Sequence, residues 1–191
     1  MGEYLFTIGG NYANRLMLGA SFAVPVITFS ETSAYQEIPG FDTLNSLSNY
    51  SFNQQVTTQG YGFNFKFGFI YRITDFFRFG GSVHTPTFFH LSDNYSSEAH
   101  SVFKNGDKYD SNANGQFSYE LGTPLKFTGS MGFIVGKVGL VNLDYEFLDY
   151  GEPRLRSSGY KFFDENKAID SKYSEASNIR IGTEWMLEVF S

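Results

Sequence analysis

Cysteine is missing altogether from these 191 residues. That removes disulfides, thiol nucleophiles and cysteine-built zinc sites, and it is compatible with an exported bacterial protein. Basic excess is missing too. The formal net charge is -6 and the pI is near 5.0, whereas nucleic-acid binding asks for a clustered basic surface, so no nucleic-acid partner is expected. No apolar run approaches the roughly 18 residues of a membrane-spanning helix. Met1-Gly2-Glu3-Tyr4 offers neither a charged n-region nor an apolar core, so no secretory signal is read here. Either it was removed or the chain begins inside a larger reading frame.

What is abundant is aromatic. Phe, Tyr and Trp make up 19% of the chain, yet mean hydropathy is slightly negative at -0.25. The distribution of the rings reconciles the two. From Gly60 to Arg72 every odd position is aromatic, namely Tyr61, Phe63, Phe65, Phe67, Phe69 and Tyr71. Between them stand Gly62, Asn64, Lys66, Gly68 and Ile70. A period of two is a β-strand with one greasy face. This one is much longer than the usual strand of about five or six residues.

Three more stretches repeat the design on odd positions: Phe77–Leu91, Phe117–Val135 and Val141–Phe147. No charge falls on their apolar parity. Lipid imposes such segregation, because Lys or Arg facing it at mid-depth costs about 2–4 kcal/mol. Together with Glu3–Gly9, Arg15–Ser30 and Asn178–Trp185, the pattern predicts about seven strands. Short turns are expected near Gly10–Asn14, Ile73–Asp75 and Lys137–Gly139, and long polar loops near Glu31–Thr58, Ser92–Gly115 and Tyr150–Ala176. Alternating short and long connections are the topology of outer-membrane barrels. The expected fold is all-β, an antiparallel up-and-down transmembrane β-barrel. Seven is odd and below the usual minimum of about eight, so residues 1–191 read as a single partial domain of a larger barrel. Pro86 and Pro124 lie inside long strands, where each is a kink or bulge near the lumen or else marks a displaced strand end.

Reactive constellations are weak. Asp110-Ser-Asn112-Ala-Asn114-Gly115 starts like a calcium loop, but the closing glutamate position holds Leu121. A polar loop tip is the better reading. Ser82 and His84 share a face without a nucleophile elbow or a third member. His84 and His90 are roughly 20 Å apart on an extended strand, too far to share a metal. Asp144 and Glu146 sit on the inner parity opposite Lys126, where an ion-pair ladder with Lys126, Lys66 and Arg78 is expected. No enzyme activity and no cofactor is expected. Lys66, Arg78 and Lys126 are the candidate ligand-binding residues, as cations able to meet a carboxylate.

The segment GYGFNFKFGFIYRITDFFRFGGSVHTPTFFHL, Gly60–Leu91, resembles the FadL/TodX-type family of outer-membrane transporters for long-chain fatty acids and other hydrophobic compounds. The likeness lies in the glycine-led aromatic strand, the short turn, and Arg78, Gly80, Ser82, Thr85 and Pro86 after it. Thr123–Gly151 is similar to a later pair of strands in that family, with Asp144, Tyr145, Glu146, Asp149 and Tyr150 in the second. The flavour is Bacteroidetes-like. The resemblance implies the bacterial outer membrane, lipid as surroundings, a hydrophobic small-molecule ligand and passive transport. Members share a 14-stranded barrel with an N-terminal hatch, and neither the hatch nor half of the strands is recognisable here. Two other classes stay open: a structural or surface-interaction barrel working through its long loops, and a soluble secreted β-protein.

Overall fold

The computed structural model describes residues 1–38, 40 and 46–186. It is antiparallel β throughout, with one short helix, in the order β1 (Gly2–Tyr12), β2 (Leu16–Glu37), β3 (Leu47–Arg72), β4 (Phe77–His84), β5 (Phe88–Phe103), β6 (Lys108–Gly122), β7 (Lys126–Val135), β8 (Gly139–Asp149), β9 (Leu155–Arg156), α1 (Phe163–Lys172) and β10 (Glu175–Trp185). β4 with β5, β6 with β7, and β8 with β9 each share one position, so ten strands fill seven places of an up-and-down meander. The sheet is open, with β1 and β10 as its edges.

The chain forms two compact units. We call Gly2–Pro25, Gly62–Phe89 and the chain from Glu120 onward the band unit. Val26–Tyr61 and His90–Tyr119 make the hairpin unit.

In the band unit the odd residues of five strands fall into common rows. Phe69 pairs with Gly81 and Gly81 with Gly129; Gly129 pairs with Tyr145 and Tyr145 with Ile179. This face is apolar and solvent-accessible: Phe63, Phe65, Phe67, Phe69, Phe127, Met131 and Tyr145 are all exposed. A soluble sheet would cover such a surface. The even residues form the polar face, where Lys66 pairs with His84 and His84 with Lys126.

The hairpin unit corrects two expectations. Glu31–Thr58 and Ser92–Gly115 are not long loops, because β2 runs on to Glu37, β3 begins at Leu47, β5 reaches Phe103 and β6 begins at Lys108. Alternation fails as a signal there because polar residues occupy both parities, while Ser, Thr, Tyr and Val still favour extended backbone. Ser30–Thr57 at 3.2 Å, Gln36–Asn49 at 3.3 Å and Gln116–Ser92 at 2.8 Å bridge neighbouring strands through side chains. The calcium-like segment Asp110–Gly115 lies inside β6. Extended at about 3.3 Å per residue, it cannot wrap an ion, and no group of three acidic or His residues suits a metal among the described residues.

The third long connection leaves the sheet only in part: β9 within it pairs with β6 through Glu120–Arg156 and Leu121–Leu155, and α1 follows. Asn166 clamps the Leu155 backbone by donating to its carbonyl and accepting from its N–H, both at 2.9 Å. Arg154 meets Asp170 at 2.7 Å. The Tyr160 hydroxyl donates to Glu165 at 2.9 Å, and that bond raises the phenol above its ordinary value.

Candidate functional site

Two prolines shape the polar face of the band unit. Pro86 separates β4 from β5 and Pro124 separates β6 from β7, because proline has no N–H for a ladder. Threonine hydroxyls take over. Thr85 Oγ1 accepts from the Phe65 N–H at 2.9 Å, and Thr123 Oγ1 accepts from the Thr87 N–H at 2.8 Å. Thr123 N–H then reaches the Thr87 carbonyl at 3.0 Å. Asn64, only 5% exposed, donates to Thr87 Oγ1 at 2.9 Å.

The break against β3 is a bulge that reverses facing. Before it, Phe67 pairs with Val83. Beyond it, Phe63 meets Phe88 at 5.6 Å between ring centroids, so one residue has been inserted. Phe88 therefore takes the exposed row, while Phe89 turns in and is 7% exposed. Phe89 and Leu91 had been expected on the outer parity, and both are buried. A Cβ on Gly62 would stand 2.7 Å from the Phe89 ring, so only glycine admits that ring. In β6, Phe117, Tyr119 and Leu121 are likewise partly covered, whereas Gln116, Ser118 and Glu120 are exposed.

Next to the break lies a line of charge. Lys66 Nζ binds Glu3 at 2.9 Å. Lys126 Nζ is 3.3 Å from Glu146, which also accepts from Arg180 at 2.8 Å and Asn178 at 3.2 Å. Glu146 is 8% exposed, so its charge is held by three donors rather than by water. Asp144, expected beside it in an ion-pair ladder, has Ser130 and Arg180 as register neighbours instead.

The structure brings two of the three candidate cations together and leaves the third apart. Lys66 and Lys126 flank His84 in one register row. Arg78 has Arg72 and Gly132 beside it, six residues along β4 and roughly 20 Å from that row. Parity revealed the face of Arg78 but not its height. His84 was considered only as a partner of Ser82 or of His90; its place between two lysines depends on register.

Lys66 and His84 also line a cavity of about 510 Å³ with Met17, Ser21, Ile70 and Ser82. Gly68 and Gly80 contribute no side chain to it. It therefore offers an apolar wall, a shallow floor and a cationic end, suited to a molecule with a hydrocarbon body and an anionic head. A larger cavity, about 880 Å³, is lined by Ile8, Leu18, Phe67, Phe69, Val83 and Phe127. Ser82 and Thr128 add hydroxyls there, but no charged side chain lines it, so a partner for an anionic head is found only in the smaller one of the two.

The chain matches no protein-family model and no curated protein.

Proposed function

We propose that this chain forms part of the wall of a bacterial outer-membrane β-barrel that lets hydrophobic small molecules, such as long-chain fatty acids, cross passively. The observation that carries the reading is the exposed aromatic face of the band unit opposite a face bearing every charge of its central rows. Phe63–Tyr71 spans nine residues of β3, in line with the roughly 9–11 residues that a tilted strand needs to cross lipid. No helix is long and apolar enough to cross a membrane, which says nothing about strands. The resemblance of Gly60–Leu91 and Thr123–Gly151 to FadL/TodX-type transporters points the same way.

Transport on this reading involves no covalent step. A ligand's carboxylate would exchange with Glu3 for Lys66 beside His84, while its chain lies along Met17 and Ile70. Lys126 is the second cation in the row. Arg78 is set aside from the ligand on the strength of its height.

The test is uptake of isotopically labelled long-chain fatty acid by cells carrying the complete gene. Combined Lys66→Ala and Lys126→Ala is expected to lower uptake, with Arg78→Ala near wild type. Equal uptake with and without the gene would abandon transport in favour of a structural or surface-interaction barrel. The long strands of the hairpin unit favour that second reading. A chain that stays soluble without detergent or lipid would instead favour a secreted β-protein.

A further inference from the structure

Three basic groups lie side by side on the polar face of the band unit: Lys66 on β3, His84 on β4 and Lys126 on β7. The outer two are already engaged. Lys66 Nζ lies 2.9 Å and 3.2 Å from the two carboxylate oxygens of Glu3 on β1. Lys126 Nζ lies 3.3 Å from Glu146 on β8, which it shares with Arg180 on β10. The middle group is not engaged: the His84 ring has neither a hydrogen bond nor an ion pair among the described residues. It is half-buried and lines the cavity of about 510 Å³, with Met17 and Ile70 along the wall. The charged groups that face the ring are Lys66, Lys126, Glu3 and Glu146, with Arg180 behind Glu146.

An imidazole in that place differs from a third lysine in one respect. Its charge is optional, because histidine titrates within the physiological range. A carboxylate that takes Lys66 from Glu3 brings a negative charge into the row and leaves Glu3 without its cation. A proton on the His84 ring supplies the missing positive charge where the head group lies, and makes both ring nitrogens donors. Charge-assisted bonds of this kind are roughly twice as strong as neutral ones. An uncharged head brings no charge to balance, and the ring takes up no proton for it.

We propose that His84 selects the ligand's head group: it takes up one proton from solvent when an anionic head enters the cavity and holds that head as an imidazolium. Anionic long-chain ligands therefore bind together with a proton, and uncharged ones bind without. This rests on the transport reading above.

The test is binding to phosphatidylcholine vesicles that carry the protein made from the complete gene, less binding to empty vesicles, between about pH 5 and 8. The probes are an isotopically labelled long-chain alkyl sulfonate, whose head is anionic throughout, and the alcohol of the same chain length. Sulfonate affinity is expected to fall as pH rises, by up to about 10-fold per unit, the limit for one proton per ligand. Alcohol affinity should stay flat. His84→Gln is expected to bind the sulfonate weakly at every pH, and His84→Lys, with a fixed charge, tightly at every pH. His90→Gln, outside the row, keeps the wild-type slope. A flat sulfonate profile in the wild type, for which no variant is needed, overturns the proposal. So does a slope that survives in His84→Gln, and so does an alcohol that follows the sulfonate. In each of these cases a probe still binds, and the transport reading stands. Binding of neither probe above the empty vesicles at any pH overturns that reading itself.

Discussion

Phe63–Tyr71 and Leu47–Tyr61 are two parts of the same strand, β3, yet they follow different rules. In the first, every odd position is a ring, with Asn64, Lys66, Gly68 and Ile70 between. In the second, Asn49, Ser51, Asn53, Gln54, Gln55, Thr57 and Thr58 occupy both parities. Backbone geometry is shared, so on the proposed membrane reading the difference records the medium on each side. One apolar surrounding and one polar surrounding enforce strict alternation; water on both sides removes the constraint and leaves only β-propensity. The same contrast separates the band unit from the hairpin unit.

The sharpest way to break this comparison is to place a charge on each part of β3. Phe67→Lys is expected to destabilise the protein in lipid vesicles by about 2–4 kcal/mol, as a cation facing hydrocarbon does. Gln55→Lys should stay within about 0.5 kcal/mol, like other exposed substitutions. Urea titration in vesicles reads both, and equal costs would show that the aromatic face does not meet lipid.

Ion pairs offer a second contrast. Glu146→Gln removes the acceptor of Lys126 and Arg180 from a covered position and should cost about 1–3 kcal/mol. Asp110→Asn removes the 2.8 Å partner of His100 on an open surface, where exposed pairs contribute at most about 1 kcal/mol. The same titration applies. A larger loss at Asp110 would reverse the expected order.

Close packing of backbones should erase the contrast. A Cβ at Gly60 in the hairpin unit would lie 2.2 Å from the His90 carbonyl oxygen, and at Gly62 in the band unit 2.7 Å from the Phe89 ring. Gly60→Ala and Gly62→Ala are each expected to cost about 1–3 kcal/mol. A neutral result at either would mean that β5 stands further from β3 there.

The smallest effect concerns the insertion before β10. Glu165→Gln should lower the Tyr160 pKa toward its ordinary 10.0, because the carboxylate favours the neutral phenol. The sign for stability follows. With the folded value raised, the contribution is complete below the unfolded pKa and disappears as pH rises through the folded one. Ring-carbon NMR of Tyr160 would register the shift, and an unchanged midpoint would dismiss the Tyr160–Glu165 bond.

Legibility in the sequence followed the same division. The band strands could be read because one-sided burial writes a period of two into β3, β4, β7 and β8. The extensions of β2, β3, β5 and β6 could not, because nothing selects between their faces. α1 was missed for a related reason: it buries no residue of its own and so carries no apolar stripe. Pro86 and Pro124 were visible as interruptions, but the one-residue bulge was not. With it went the inward turn of Phe89 and Leu91, which parity alone placed outside. Lys66 and Lys126 were picked for charge and face; their meeting around His84 depends on two registers, each fixed by turn geometry and ladder bonds rather than by composition.

The placement of the prolines has a consequence for how the molecule comes apart. Pro25 ends one segment of the band unit, and Pro86 and Pro124 stand a few residues before or after the limits of two others. Each removes an amide from the ladder where cooperative unfolding would have to pass from one unit into the next. The hairpin unit is therefore expected to behave as a separate foldon that opens and recloses while the band persists. A protease acting on the native protein would cut within Val26–Tyr61 and His90–Tyr119 first and leave the band unit as the resistant remnant, so the rate at which the hairpin segments are lost would be set independently of the stability of the band.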